Sequence, residues 1–152
     1  MSCFRARLLP LLLAGALLSG CALGGSLVTP LGSTAEQVQV VRNEAAALAK
    51  ATNEAATLAV HARRLVQSGF DAGLVSREVM QKVNAAAIVT SQKGIAFISF
   101  AETVTTDPSL RVTATELLRI FDDYIVALSG AGLSGAAIRT ALGVLRIYLG
   151  VQ

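Results

Sequence analysis

Cysteine, tryptophan and histidine are scarce in this chain of 152 residues, which has two cysteines, no tryptophan and one histidine. A multi-disulfide framework and a tetrahedral thiolate metal centre both need more cysteine. Only 5% of the residues are aromatic and 3 are proline, whereas 53% are hydrophobic. This composition excludes a disordered or collagen-like chain, and it is typical of closely packed helices in one domain.

The first twenty residues are organised like an export signal. Arg5 and Arg7 form a positively charged segment, and an apolar stretch runs from Leu8 to Leu17. The stretch is too short to span a hydrocarbon core, which needs about 20 residues. Small residues then precede Cys21, as cleavage by a signal peptidase requires. The pattern therefore predicts a segment that is removed on export.

The residues Leu18-Ser19-Gly20-Cys21 resemble the lipobox of bacterial lipoproteins. This resemblance implies that the Cys21 thiol receives a diacylglycerol and that Leu18, Ser19 and Gly20 are recognised for cleavage just before Cys21. It also implies that the new amino group is acylated. One acyl chain holds a protein only marginally, whereas two or three hold it firmly. The alternatives are an ordinary secretory signal with a chance cysteine and an uncleaved anchor.

Three regions are predicted from this resemblance: a cleaved signal peptide (1–20), a lipidated cysteine with a flexible tether (21–33) and a helical domain (34–152). The tether contains glycine and proline, which favour a flexible connection. Twelve extended residues reach at most about 40 Å, so the domain is expected close to the membrane. In lipoproteins of this kind, an alanine such as Ala22 after the cysteine implies sorting to the outer membrane.

Cleavage would also change the charge and the thiol content. The chain has 13 basic and 10 acidic residues. Loss of Arg5 and Arg7 would leave 11 basic residues, so the mature chain would have a net charge of +1. No basic block remains that would predict nucleic-acid binding. Because Cys3 is removed and Cys21 becomes a thioether, no free thiol is expected in the mature chain.

Apolar periodicity predicts two long helices joined by a short loop. Ser33 and Glu36 fit a capping box for a helix over 34–68, and Gly69 is expected as its left-handed C-cap. Ser76 is the predicted N-cap of the second helix. The predicted inward residues of the first helix are Val41, Leu48, Ala51, Ala55, Leu58, Ala62 and Leu65. Those of the second are Met80, Val83, Ala87, Thr90, Gly94, Phe97, Ala101 and Val104.

Two shorter helices complete the prediction. Asp107 as N-cap and Pro108 in the first turn start the third helix, and Ser134 is expected to cap the fourth. The predicted inward residues of the third helix are Leu110, Ala114, Leu117, Leu118, Phe121, Tyr124, Ile125 and Leu128. The stretch 95–100 is compatible with a helix or a strand; we prefer a helix because no second strand-like run exists to pair with it. The sequence therefore predicts an all-α fold, a small bundle of about four amphipathic helices.

Few residues are candidates for catalysis. His61 lies on the predicted polar side of the first helix, where a solvated histidine is favoured over a general base. Asp122 and Asp123 point about 100° apart on a helix, so we expect a salt-bridged surface near Arg119 rather than a paired-carboxylate site. Because the sequence has no phosphate-binding loop, dinucleotide motif or metal-spaced ligand set, no enzyme activity, cofactor or metal is predicted.

We therefore expect a non-enzymatic, membrane-anchored periplasmic lipoprotein that acts as a helical interaction or structural module of the cell envelope. Its expected partners are membrane lipid, through acylated Cys21, and an envelope protein or a second copy. The helical domain loosely resembles small lipoproteins of phages and prophages, which implies an alternative role in superinfection or entry exclusion. A lipid-binding bundle and a cell-wall-acting enzyme are further alternatives.

Overall fold

The computed structural model describes residues 34–151 and contains only helices and their connections in this range. The helices are α1 (Ala35–Asp71), α2 (Arg77–Ala101), α3 (Asp107–Gly130), α4 (Ala136–Ala141) and α5 (Gly143–Leu149). The three long helices pack against one another, with α4 on α1 and α5 on α1 and α3. This confirms the predicted all-α small bundle, and the stretch 95–100 is helical.

Small residues let α1 and α2 approach closely as an antiparallel pair. Arg63 Nε donates to Asn84 Oδ1 at 2.8 Å near one end of the pair. Further along, a Cβ atom added to Gly94 would lie 3.6 Å from Thr52 Cγ2 and 4.0 Å from Ala56 Cβ. The buried residues of α1 are Val41, Ala45, Leu48, Ala51, Thr52, Ala55, Ala59 and Val66. Half of these are alanine, so the α1–α2 contact contributes little side-chain volume to the core.

Large side chains from α3 fill the core instead. Its buried residues are Leu110, Ala114, Leu117, Leu118, Ile120, Phe121, Tyr124, Ile125 and Leu128. Full burial of one large aliphatic or aromatic side chain contributes about 1.5–3 kcal/mol. The Tyr124 hydroxyl donates to the Ala59 carbonyl at 2.7 Å, which joins α3 to α1, and burial raises the pKa of Tyr124 to about 12. All the inward residues predicted for the third helix are therefore buried.

The start of α1 differs from the prediction by one residue. Thr34 is the N-cap, and its hydroxyl accepts from the Gln37 N–H at 3.3 Å. The Gln37 side chain accepts from the Thr34 N–H at 2.9 Å, which completes the capping box. The predicted Ser33–Glu36 box is therefore wrong, because Thr34 and Gln37 offer the same pair of groups one position later.

The end of α1 also differs. The helix continues through Gly69 to Asp71, and the left-handed residue is Gly73, with φ 74°. Gly69 instead allows Val75 of the following loop to approach α1 closely, because a Cβ atom at Gly69 would lie 2.9 Å from Val75 Cγ2. Leu65, predicted inward, is 62% exposed, and Val66 is buried instead. A straight helix drifts about 20° per seven residues, which moves the buried side by one position near the end of a long helix.

Two capping predictions in the second half are wrong. The N-cap of α3 is Thr106, and Asp107 is the first helical residue, where its carboxylate binds side chains from α3 and α5. The predicted fourth helix is divided at Leu142 into α4 and α5, and the N-cap of α4 is Gly135. Ser134 precedes this cap, and its hydroxyl accepts from the Ala136 N–H at 3.2 Å. The cap of α2 at Ser76 is confirmed.

A close contact at Gly135 gives a test of this packing. A Cβ atom there would lie 2.5 Å from Cγ2 and 2.9 Å from Cγ1 of the buried Ile125. We expect Gly135→Ala to destabilise the protein by about 1–3 kcal/mol, because the added methyl overpacks a β-branched side chain. The free energy of urea unfolding measures this. The matched control is Gly130→Ala, where nothing lies within 4 Å; equal losses in both variants would contradict the packing.

Candidate functional site

The predicted lipidation site lies outside the described residues. Leu18, Ser19, Gly20 and Cys21 all precede Thr34, where the described part of the chain begins. Within residues 34–151, no helix is both long enough and apolar enough to cross a bilayer. The sites described below are those of the helical domain.

Among the described residues, no hydrogen bond or ion pair joins His61 to Asp122 or Asp123. His61 is exposed on α1. Arg146 Nη2 donates to Asp122 Oδ1, whereas Arg119 Nη1 donates to Asp123 Oδ2 at 3.1 Å. The two carboxylates therefore belong to separate ion pairs, as predicted for a salt-bridged surface. Among the residues that the structure describes, no three His, Cys, Asp or Glu side chains are grouped so that they could hold a metal ion.

A polar cluster at the beginning of α3 was not predicted. Asp107 Oδ1 accepts from the Tyr148 hydroxyl at 2.6 Å, and Asp107 Oδ2 accepts from Arg111 Nε at 2.9 Å. Arg111 Nη1 donates to the Tyr148 carbonyl at 3.2 Å, and the guanidinium lies 4.8 Å from the centre of the Tyr148 ring. Each member of the cluster therefore contacts the other two, which fixes the end of α5 against the first turn of α3.

Electrostatics in this cluster favour an ionised carboxylate and a neutral phenol. The hydrogen bond from Tyr148, and then the neighbouring Arg111, hold the pKa of Asp107 below its usual value. Burial and the bond to Asp107 raise the pKa of Tyr148. Asp107 and Arg111 also line an open cavity of about 690 Å³ together with Glu36 and Glu44 of α1. Because the charged groups of Asp107 and Arg111 neutralise each other, we interpret the cluster as structural.

The second helix has an unusual solvent-facing side, here called the outer face of α2. It comprises Ala85, Ile88, Val89, Gln92, Ile95, Ala96 and Ser99, all exposed. Ile88, Val89 and Ile95 are 48%, 46% and 64% exposed. From Val83 to Ala101 the one charged residue is Lys93, and Lys93 Nζ pairs with Glu116 Oε1 at 3.0 Å.

A solvent-facing helix side ordinarily carries several charged residues. The outer face of α2 carries none, and we interpret its exposed aliphatic residues as a candidate interaction surface. Shallow grooves flank it on both sides. The groove between α1 and α2 has a volume of about 180 Å³ and is lined in part by Val60 and Ile88. The groove between α2 and α3 has about 220 Å³ and is lined in part by Ala96 and Phe100.

Thr90 lines the α1–α2 groove, and its buried hydroxyl is expected to destabilise the folded state. Its side chain is 1% exposed, and its hydroxyl has no hydrogen-bond partner among the described residues. The other buried threonine, Thr52, donates from its hydroxyl to the Leu48 carbonyl at 2.8 Å. A buried hydroxyl without a partner carries a desolvation cost of about 1–3 kcal/mol. Since the Thr90 hydroxyl itself is not accessible from the groove, we assign it no binding role.

Comparison with known proteins adds no relative, because no family model, curated protein or solved structure matches the chain. The function is therefore argued from the residues themselves. The outer face of α2 is the best candidate site in the described part of the chain, and its chemistry suits contact with another protein surface. The sequence signal for this face is a stretch with one charged residue, Lys93, and apolar residues on both sides of one helix.

The polar cluster predicts a pH dependence of stability. Because the pKa of Asp107 is lowered by folding, its contribution is complete above the unfolded-state pKa of about 3.9 and is lost as the pH falls through the folded-state value. We expect Asp107→Asn to be slightly less stable than the unmodified protein at pH 6 and to lose less stability as the pH falls below about 4. Urea midpoints between pH 2 and 6 measure this.

The control for this prediction is Asp123→Asn, which removes an exposed ion pair with Arg119 on the same helix. Exposed pairs contribute about 0–1 kcal/mol, so this variant should change the midpoint little. An Asp107→Asn protein whose urea midpoint follows that of the unmodified protein at every pH would contradict the proposed linkage.

Replacement of the two buried threonines gives a further test. Thr90→Val keeps the shape of the side chain and removes a hydroxyl that has no partner, so we expect stabilisation by about 1 kcal/mol. Thr52→Val is the matched control, and we expect it to be neutral or destabilising because it removes a hydrogen bond. Thermal unfolding measures both variants. The interpretation of Thr90 fails if Thr90→Val is the less stable of the two.

Proposed function

We propose that this protein is a bacterial lipoprotein that is anchored through acylated Cys21 and acts as a non-enzymatic helical interaction module of the cell envelope. The anchor is carried by one observation, the order of residues at the amino terminus. A positively charged segment, a ten-residue apolar stretch and Leu18-Ser19-Gly20-Cys21 follow one another as lipoprotein export requires. Ala22 supports placement at the periplasmic side of the outer membrane.

The length of the connection supports a role close to the membrane. Twelve residues, 22–33, separate Cys21 from Thr34, the N-cap of α1. Their greatest reach is about 40 Å, which is similar to the thickness of the bilayer itself. A partner of the helical domain would therefore be met near the membrane surface, in the layer occupied by other envelope proteins.

The chemistry of the outer face of α2 supports a protein partner. This surface has no charged residue and is mostly apolar, and the grooves beside it have volumes of only about 180 and 220 Å³. Small-molecule sites are usually concave pockets of about 300–1,000 Å³ with a few converging polar groups. An exposed ridge of aliphatic side chains instead fits a complementary helix or sheet surface, which it can contact through burial of apolar area.

Cys21→Ser tests the proposed anchor. Without the thiol no thioether can form, so we expect loss of the lipid mass and loss of most of the protein from the membrane fraction. Intact mass spectrometry and cell fractionation measure the two effects. The matched control is Cys3→Ser, because Cys3 belongs to the segment that is removed. The anchor is wrong if the protein with Cys21 carries no lipid mass and the Cys21→Ser protein is cleaved and fractionates in the same way.

A further inference from the structure

We propose that the cavity between the beginnings of α1 and α3, here called the α1–α3 groove, binds an extended basic peptide segment of another protein, with the pattern Lys-x-Leu-x-Lys. The first turns of α1 and α3 and the connection before α3 form its walls. The inference rests on the proposed function, in which the protein acts by contact with a protein partner, and it adds a second contact surface. It depends neither on the lipid anchor nor on the outer face of α2.

The charges of the α1–α3 groove favour a cationic ligand. Its lining includes three carboxylates, of Glu36, Glu44 and Asp107, and one guanidinium, of Arg111, which is a net charge of −2 at neutral pH. Asp107 and Arg111 form an ion pair with each other. Glu44 contributes to the raised pKa of Arg111, but within residues 34–151 neither Glu36 nor Glu44 forms an ion pair. A concave site with uncompensated negative charge attracts cations.

The two uncompensated carboxylates need two separate cationic groups. Glu36, Val40 and Glu44 follow one another at intervals of four residues, so they lie on one side of α1. The rise of the helix from Glu36 to Glu44 is about 12 Å. One metal ion would not bind both, because the oxygen ligands of a calcium ion lie within about 2.6 Å of it. The ligand must therefore carry two cations at about the separation of the two glutamates.

Apolar residues lie between the two carboxylates and opposite them. Val40 is 52% exposed and lines the groove beside Val41, and Pro108 lines it from α3. A linear polyamine would supply two cations, but it has no branched side chain to cover these apolar groups. A peptide with an aliphatic side chain between its two basic residues would bury apolar area there. The groove therefore fits a peptide better than a polyamine.

An extended peptide has the matching spacing. Alternate residues of an extended chain face the same side, and the chain rises about 3.3 Å per residue. The two lysines and the leucine of Lys-x-Leu-x-Lys then face the groove together, with the lysines about 13 Å apart. The lysines meet Glu36 and Glu44, and the leucine meets Val40. The cavity volume of about 690 Å³ is within the usual range for ligand sites, whereas the two grooves beside α2 are smaller.

Peptide binding to the purified full chain in a neutral detergent tests the charges. The probe is the fluorescein-labelled peptide Ser-Gly-Lys-Ser-Leu-Ser-Lys-Gly-Ser, and fluorescence anisotropy measures its Kd. We expect the double variant Glu36→Gln, Glu44→Gln to bind about five- to thirtyfold more weakly, because both ion pairs are lost. Since both residues are exposed and form no ion pair in the described part of the chain, the variant should fold normally, which circular dichroism checks.

The matched control is the double variant Glu54→Gln, Glu102→Gln, which removes the same charge from exposed residues that do not line the groove. Its Kd should change by less than about twofold, because salt screens charges outside the site. Equal weakening in the two double variants would overturn the proposal. So would the absence of binding by the unsubstituted chain at concentrations up to about 1 mM.

Altered probes test the apolar contact and the extended conformation. Replacement of the leucine in the peptide by serine should weaken binding about three- to tenfold, because less apolar area is buried. Moving the second lysine one position further should weaken binding about five- to tenfold, because this lysine would face away from the groove. Equal binding by the shifted peptide would overturn the extended arrangement. Spermidine that competes as strongly as the unlabelled peptide would overturn a peptide as the ligand.

Substitutions in the protein locate the peptide. Val40→Lys should weaken binding at least about tenfold, because its ammonium group would neutralise the neighbouring carboxylates. The matched control is Val126→Lys, at a residue that is 72% exposed on α3, and it should leave the Kd unchanged. Equal effects of both would overturn the placement in the groove.

A variant of the outer face of α2 separates this inference from the proposed function. Ile95→Glu changes that face, since Ile95 is 64% exposed there, and it should bind the peptide with unchanged Kd. Weaker peptide binding by Ile95→Glu would overturn the groove as the site. Failure of the anchor would appear separately, in the lipid mass of Cys21, and would leave peptide binding unchanged.

Discussion

The close approach of α1 and α2 is the constraint on which the rest of the structure depends. Gly94 of α2 packs against the side chains of Thr52 and Ala56 on α1, and a Cβ atom added there would lie at van der Waals distance from both. A contact of this kind buries little apolar area per residue, and alanine contributes far less than leucine or phenylalanine. The core must therefore be filled by another helix. Phe121 and Tyr124 of α3 do this, and the Tyr124 hydroxyl joins α3 to the α1 backbone at Ala59.

Helix identity could be predicted from the sequence, whereas several helix ends could not. Apolar periodicity over long segments determines which side is buried, and it identified the inward residues of α3 correctly. Caps depend on one or two side chains, so neighbouring candidates compete. Thr34 rather than Ser33 is the N-cap of α1, and Thr106 rather than Asp107 is the N-cap of α3, where the Asp107 carboxylate accepts from Arg111 and Tyr148 instead. The residue at which α4 and α5 divide, Leu142, is fully buried, so apolar periodicity alone does not mark this helix end.

The polar cluster and the outer face of α2 differ in how far they can be predicted from the sequence. The polar cluster joins Asp107 to Tyr148 across the fold, so no local pattern could identify it. The outer face of α2 is local, and its residues are visible in the sequence. This face was not predicted, because the apolar residues of α2 were interpreted only as residues that face the core. The ambiguity of the stretch 95–100 has the same origin, since a helix that is apolar on two sides loses the periodicity that distinguishes it from a strand.

An uncharged contact surface needs another source of direction. Burial of Ile88, Val89 and Ile95 can favour association, but the hydrophobic effect is not directional and would accept several orientations. A short interface of this kind associates weakly in free solution. Anchoring the protein and a partner in one membrane would raise their effective concentration, so a weak contact would suffice there.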